Sequence, residues 1–321
     1  MNVILTSAGR RTTLLKAFKA ASNQRGGKVF AGDIDGLAPA LLLADGAIKL
    51  PTVLGNNYIP FLLETVKQYD IRVIVPTIDT ELLILAENAH EFKKAGCVPL
   101  ISSREAVRIT GDKWETVTLF KEKGIRVPHS WLPEHVAGDS LPGSIFIKPR
   151  NGSASRDTYH LQIDRLEQFL PQVPNPIIQE AIKGEEITID ALLDLQGNPL
   201  HYVPRLRIKT IGGESVEGVT ISDRKLRDWI LEVLRITAEI GGQGPITVQA
   251  FLTEDGPVLS EINLRFGGGI PLTLMSGGNY AEWVLQMVEG KKVPPRIGEY
   301  AVNQYMSRYY VEHFTQEPAW Q

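Results

Sequence analysis

Short apolar runs and amphipathic stretches alternate along the first hundred residues. Runs at 3–5, 28–33, 47–50, 73–76 and 98–101 read as strands, and the patterns at 12–21, 58–68 and 80–95 read as helices. Such alternation predicts a parallel sheet covered by helices, with ligands gathered near the carboxyl ends of its strands. Two further helices are expected at 103–109 and 113–123, the second stopped by Gly124 ahead of Val127-Pro128. Short strands and turns then dominate to about residue 200, and 133–143 reads as a connecting loop.

The loops between these elements carry the first candidate chemistry. Thr6-Ser7-Ala8-Gly9-Arg10-Arg11 lacks the G-x-G-x-x-G of a dinucleotide site. Its two arginines at a helix start are either an anion site, where N–H groups and guanidinium donors both favour negative charge, or a solvated helix end. Asp33 and Asp35 end a strand and serve either as ligand acceptors or as turn caps, whereas Asp79 or Thr80 is expected to cap the helix that follows.

At 321 residues the chain suits two or three modest lobes, and 43% hydrophobic with 22% charged residues is ordinary globular composition. The net charge of -3 argues against a nucleic-acid surface, and no run of about 18 apolar residues suggests a membrane span. The amino terminus has neither a basic nor a long apolar region, so a cytoplasmic protein is expected. Cys97 is the lone cysteine and reads as core. The six histidines show no metal-ligand spacing, and no G-x-S-x-G elbow occurs.

Three later segments concentrate polar groups. Ile147-Lys148-Pro149 delivers a lysine from a strand into the small-residue loop Asn151-Gly152-Ser153, where backbone N–H groups can close over phosphate oxygens. Glu180-Ala181-Ile182 ends a second strand as an extended linker suited to an adenine edge, with Glu186 within reach of ribose hydroxyls; a solvated acidic hairpin is the alternative. In the third, Glu261, Asn263 and Arg265 are spaced by two and share one strand face, with Ile262, Leu264 and Phe266 on the other. Glu and Asn oxygens suit Mg2+, and an adjacent arginine suits a transferring phosphoryl group. Gly267-Gly268-Gly269 then lets backbone approach a ligand.

Read in order, Lys113, Ile147-Lys148-Pro149 with Asn151-Gly152-Ser153, Gln179-Glu180-Ala181 with Gly184-Glu185-Glu186, Gln249 and Glu261-Ile262-Asn263-Leu264-Arg265 resemble the ATP-grasp superfamily, in its carbamoyl phosphate synthase large-subunit-like branch. The resemblance implies an α/β and α+β chain: a parallel α/β pre-ATP-grasp domain over 1–104, then a two-lobed ATP-grasp domain over 105–321. Its small lobe would cover about 113–181, its large lobe about 182–300, and a tail 301–321. Cofactors would be ATP and Mg2+, with Mn2+ as a substitute. Lys113, Lys148 and Ser153 would hold phosphates, Glu180, Ala181 and Ile182 adenine, and Glu186 ribose. Gln249, Glu261 and Asn263 would surround the metal; Gln249 stands where many members carry a carboxylate, which leaves the number of ions open. Arg265 would stabilise the transferring phosphoryl group. By the period of two, Arg205, Arg207 and Lys209 share one strand face, which either meets the carboxylate substrate or γ-phosphate or is a solvated basic edge.

One such unit implies a stand-alone carboxylate-amine or carboxylate-thiol ligase releasing ADP and phosphate, in contrast to a full carbamoyl phosphate synthase. Its partners would be a small-molecule carboxylate and an amine or other nucleophile, without nucleic acid or membrane. A regulatory or scaffold protein that binds ATP, and a kinase of the same fold, are the competing readings. The aromatic stretch Tyr305 to Tyr310 either covers the core or joins a homodimer.

Overall fold

The computed structural model describes residues 1–138, 141–152 and 157–320. Among these, three sheets organise the chain. The first contains β1 (Asn2–Thr6), β2 (Val29–Asp33), β3 (Gly46–Lys49), β4 (Ile71–Pro76) and β5 (Val98–Pro99), all parallel, in the order β3-β2-β1-β4-β5. Alternation within β1 sends Val3 and Leu5 to one core with helix Thr12–Asn23, and Ile4 to another with helix Tyr58–Gln68. Strand order reverses between β1 and β4, so the loops after these two strands flank the crevice where open parallel sheets bind ligands.

The helix expected over 80–95 is broken into a 3-10 turn at Asp79–Glu81 and helices Leu82–Glu87 and Ala89–Lys94. Asn88 causes the second break: its amide donates to the Ile84 carbonyl (2.8 Å), closing the first helix with a side chain.

A second, smaller sheet holds β6 (Ser130–Trp131), β7 (Ser144–Pro149), β8 (Tyr159–Gln162) and β9 (Pro176–Glu180) in the order β6-β9-β7-β8. Trp131, Ile145, Ile147, Leu161, Leu166, Val173 and Ile178 form a core of its own, which makes this part a separate lobe. The expected connecting loop begins as a 3-10 helix, Pro133–Gly138.

Ala181 to Gly184 carry the chain in coil to the large antiparallel sheet. This sheet contains β10 (Glu185–Leu193), β11 (Pro199–Ile211), β12 (Glu214–Thr220), β13 (Gly244–Thr253), β14 (Gly256–Asn263) and β15 (Tyr305–Ser307), ordered β14-β13-β10-β11-β12-β15. Helix Arg227–Glu239 packs on it through Ile230, Val233, Leu234 and Thr237, the i, i+3, i+4, i+7 stripe of an amphipathic helix. The large sheet shares both of its cores with the first domain: Ile187, Ile189 and Val248 join Ile4, while Phe266, Tyr280 and Val284 join Val3 and Phe18. Among the described residues no helix is long and apolar enough to cross a membrane.

Candidate active site

The loop after β1 is held open by a buried acid. Glu81, fully buried, accepts hydrogen bonds from Thr6 (2.7 Å), Tyr58 (2.9 Å) and Ser7, and burial raises its pKa above the usual carboxylate range. Ser7 sits at φ 47°, a strained conformation that its bond to Glu81 and the bond its carbonyl accepts from Thr77 (2.6 Å) stabilise. Asp33 resolves as a cap, accepting from the backbone N–H groups of Gly9 (2.7 Å) and Asp35 (3.0 Å), and Asp35 caps Leu37 in the same way (2.9 Å). Together these contacts aim Arg10 and Arg11 toward the large sheet. Asp79 caps no helix: its carboxylate accepts from Arg265 Nη2 at 2.8 Å.

On the large sheet the registers place Arg205, Thr188, Gln249 and Glu261 side by side across β11, β10, β13 and β14. Gln249 and Glu261 are half-buried, and their side chains make no hydrogen bond or ion pair among the described residues. Asn263 lies two residues on, with its Nδ2 buried and unpaired and its Oδ1 accepting only a 3.4 Å contact from Arg265. Arg265 Nε is also buried without a partner. Ile262, Leu264 and Phe266 occupy the core, as the alternation predicts.

Facing this surface, half-buried Lys148 on β7 makes no hydrogen bond or ion pair among the described residues. Desolvation lowers its pKa to about 8; attraction to Glu261 and Glu186 opposes that, and repulsion from Lys113 adds to it. Lys113, which begins a helix capped by Asp112, donates to the Gly152 carbonyl (2.9 Å). Arg150 also binds Asp112 (2.7 Å), which ties the end of β7 to the same helix start. Ser153 lies outside the described residues. Glu180 ends β9 with its carboxylate accepting from the His129 N–H (2.8 Å), and Ala181 O and Ile182 N enter no backbone hydrogen bond among the described residues.

The strand face expected to align Arg205, Arg207 and Lys209 is broken. Register shifts on both sides of Lys209 end the period of two, and Lys209 is exposed with Glu217 at 3.8 Å. Arg207 pairs with Glu186 and donates to the Gly213 carbonyl (2.7 Å). Arg205 is buried against Asp190 at 2.9 Å. The glycine run meets protein at all three positions: a Cβ on Gly267 would lie 2.7 Å from Asp190 Oδ1, one on Gly268 3.3 Å from Arg11 Nη1, and one on Gly269 would overlap the Arg205 guanidinium. A cavity of about 810 Å³ lies behind the linker between Trp114, Arg126, His129 and Glu180, and its lining includes none of Lys148, Gln249, Glu261 or Arg265.

Residues 3–101 match the family model described as PylC-like, N-terminal domain, and residues 172–308 match that described as ATP-grasp in the biosynthetic pathway with Ter operon. Over 172–308 the chain is of the ATP-grasp type. The same fold is found in the biotin carboxylase domain dimer of 2-oxoglutarate carboxylase from Hydrogenobacter thermophilus, solved with MgADP, ADP and bicarbonate (TM-score 0.75, 16% identity, 94% of this chain and 73% of that one). It also occurs in a biotin carboxylase–β,γ-ATP complex from Campylobacter jejuni (0.75, 18%, 94% and 74%) and in the L-amino acid ligase of Bacillus licheniformis (0.68, 18%, 90% and 74%). No curated protein sequence matches the chain.

The ATP-grasp chain offers a donor set suited to Mg2+: one carboxylate, Glu261, beside two amide side chains, Gln249 and Asn263. Among the described residues no group of three or more His, Cys, Asp or Glu gathers to hold a metal unaided. A hard cation here would complete its shell with water and phosphate oxygens, as Mg2+ does. The sequence assigns Asp79 a capping role only, where the structure gives it an ion pair, and it does not single out Arg308, which arrives only because β15 pairs with β12.

Proposed function

We propose that this ATP-grasp chain is a Mg2+-dependent ligase that activates a small-molecule carboxylate as an acyl phosphate and passes the acyl group to an amine or another nucleophile such as a thiol. The observation that carries this reading is the convergence of unpartnered polar groups at the seam between the small and large sheets: Lys148, Gln249, Glu261 and Arg265 Nε. Groups so placed cost folding free energy unless a charged ligand meets them.

Lys148 and Lys113 hold the phosphates, the free Ala181 carbonyl and Ile182 N–H take the adenine edge, and Glu186, oriented by Arg207, takes ribose. Glu261, with Gln249 and Asn263, holds Mg2+, which neutralises phosphate charge when bound. A carboxylate oxygen of the substrate attacks the γ-phosphorus, the bond to the β-phosphate oxygen breaks, and ADP leaves. Arg265 donates to the phosphoryl oxygens as charge shifts between them. The amine nitrogen then attacks the acyl carbon, the C–O bond to phosphate breaks, phosphate departs, and the nitrogen loses a proton to solvent. Positioning and charge neutralisation suffice for the first step, so no general base is assigned.

Lys148 makes ATP binding pH-dependent. The free protein loses this proton near pH 8, while bound phosphates hold it to higher pH, so affinity is full below about 8 and falls above it. The decline is at most about tenfold per pH unit for one proton. Titration calorimetry in buffers of different ionisation enthalpy should show proton uptake at pH 8.5 that Lys148→Met abolishes; equal uptake in both proteins would remove Lys148 from the site.

ADP release measured over a panel of carboxylic acids, with hydroxylamine as a generic acceptor, tests the whole reading. Acid-dependent ADP and phosphate release, lost on the order of 10²-fold or more in Glu261→Gln, is expected. ATP binding without turnover on any acid would make the chain a binding module. A stable phosphorylated product would make it a kinase.

A further inference from the structure

Four arginines gather where the first domain meets the large sheet: Arg10 and Arg11 after β1, Arg265 after β14 and Arg308 after β15. Among the described residues, two carboxylates pair with them. Asp79 is taken by Arg265 at 2.8 Å, and Glu214 lies 3.5 Å from both Arg10 and Arg308. Arg205 and Asp190 neutralise each other separately. The cluster therefore keeps a surplus of positive charge.

Arg11 has the least company. Its guanidinium makes no hydrogen bond or ion pair among the described residues, and burial lowers its pKa to about 10, with Arg265 and Arg308 repelling it further and Glu214 and Asp79 opposing the shift. It lies over Gly268, where a Cβ would come within 3.3 Å of Arg11 Nη1. Arg308 donates to the Gly268 carbonyl, so the two guanidinium groups converge on one residue. A desolvated guanidinium with nothing to bind is costly, and repulsion within the cluster adds to that cost. The position is also the sheet's strand-order reversal, at the start of a 12-residue helix whose N-terminus no side chain caps.

We propose that Arg11 and Arg308 bind a second anionic group of the substrate, so that the acid is a dianion. One carboxylate faces Arg265 for phosphorylation, and a second carboxylate or a phosphate sits on Arg11 and Arg308. This rests on the ligase reading for its turnover, and on the arginine geometry alone for binding.

The test uses matched acids of equal chain length: a monocarboxylate, a dicarboxylate and a phosphono-carboxylate, each with MgATP and hydroxylamine. For the wild type, kcat/KM for one dianionic acid should exceed that for the monocarboxylate at least 10²-fold, and the better dianion identifies the second group. In Arg11→Gln this ratio should fall 10- to 100-fold, with the loss in KM, and Arg11→Lys should recover part of it. Equal kcat/KM for all three acids, or a ratio unchanged in a folded Arg11→Gln, would overturn the proposal. Thermal shift with the acids alone separates the two readings. Stabilisation of the wild type but not of Arg11→Gln by a dianion, without ADP release from any acid, would keep the anion site and defeat the ligase. ADP release with no preference for dianions would do the reverse.

Discussion

Replacing Arg265 by Ala should lower kcat by about 10³-fold while the KM for ATP changes little, because in the proposed reaction this side chain acts on charge that develops only as the phosphoryl group moves. Its present contacts support that division. Nη2 is anchored to Asp79 (2.8 Å), Nη1 donates to the Phe266 carbonyl (3.2 Å), and the buried Nε is left without a partner. Two atoms fix the guanidinium plane, and in the proposed reaction the third is the one left to meet a ligand. Arg265→Lys retains a charge but not the fork, so it should regain a minor part of the loss. Steady-state kinetics with saturating acid decides the matter: a kcat within threefold of wild type in Arg265→Ala would remove this residue from the chemistry.

Asp79 gives Arg265 its aim from another domain, and the sequence could not show it. Asp79 opens a helix, and capping is the ordinary use of an aspartate there. The pair with Arg265 needs the first sheet docked against the large one, a contact set by apolar groups such as Phe18 and Phe266 (ring centroids 6.0 Å apart). By contrast, the longer elements of the first domain were legible because each expresses its own period, and Tyr58–Gln68 has the expected ends, whereas the helix expected over 80–95 is broken and the short helix Pro39–Leu43 was not foreseen. The alternation at 261–266 was legible for the same reason, since Ile262, Leu264 and Phe266 report the buried face directly.

The same rule failed at 205–209, three strands across the same sheet. A period of two survives only while the ladder is regular, and register shifts beside Lys209 turn the strand end outward. Nothing in Arg205-Leu206-Arg207-Ile208-Lys209 announces those shifts. The cluster around Arg11 was half legible: its arginines stood out at a helix start, but Arg308 reaches them through a strand pairing from the far end of the chain.

Asp190→Ala should destabilise the fold by about 3–5 kcal/mol, the cost of leaving a buried charge without its counterion. Arg205 and Asp190 have side chains only 3% and 2% exposed, so water cannot replace the lost carboxylate. The same Oδ2 accepts from Thr273 (2.8 Å), and Gly267 and Gly269 pack against the pair so closely that neither site tolerates a Cβ without movement. The Asp190 backbone carbonyl accepts from Tyr280 (2.9 Å), a bond the substitution leaves in place. The loss therefore measures the ion pair and its packing. Asp190→Asn keeps an acceptor near Arg205 and Thr273 but removes the charge, and should fall between wild type and Asp190→Ala. Urea unfolding at neutral pH reads both variants. A cost below about 1 kcal/mol for Asp190→Ala, the range of an exposed pair, would mean that Arg205 finds other solvation and that the glycine loop is not built on a buried charge pair.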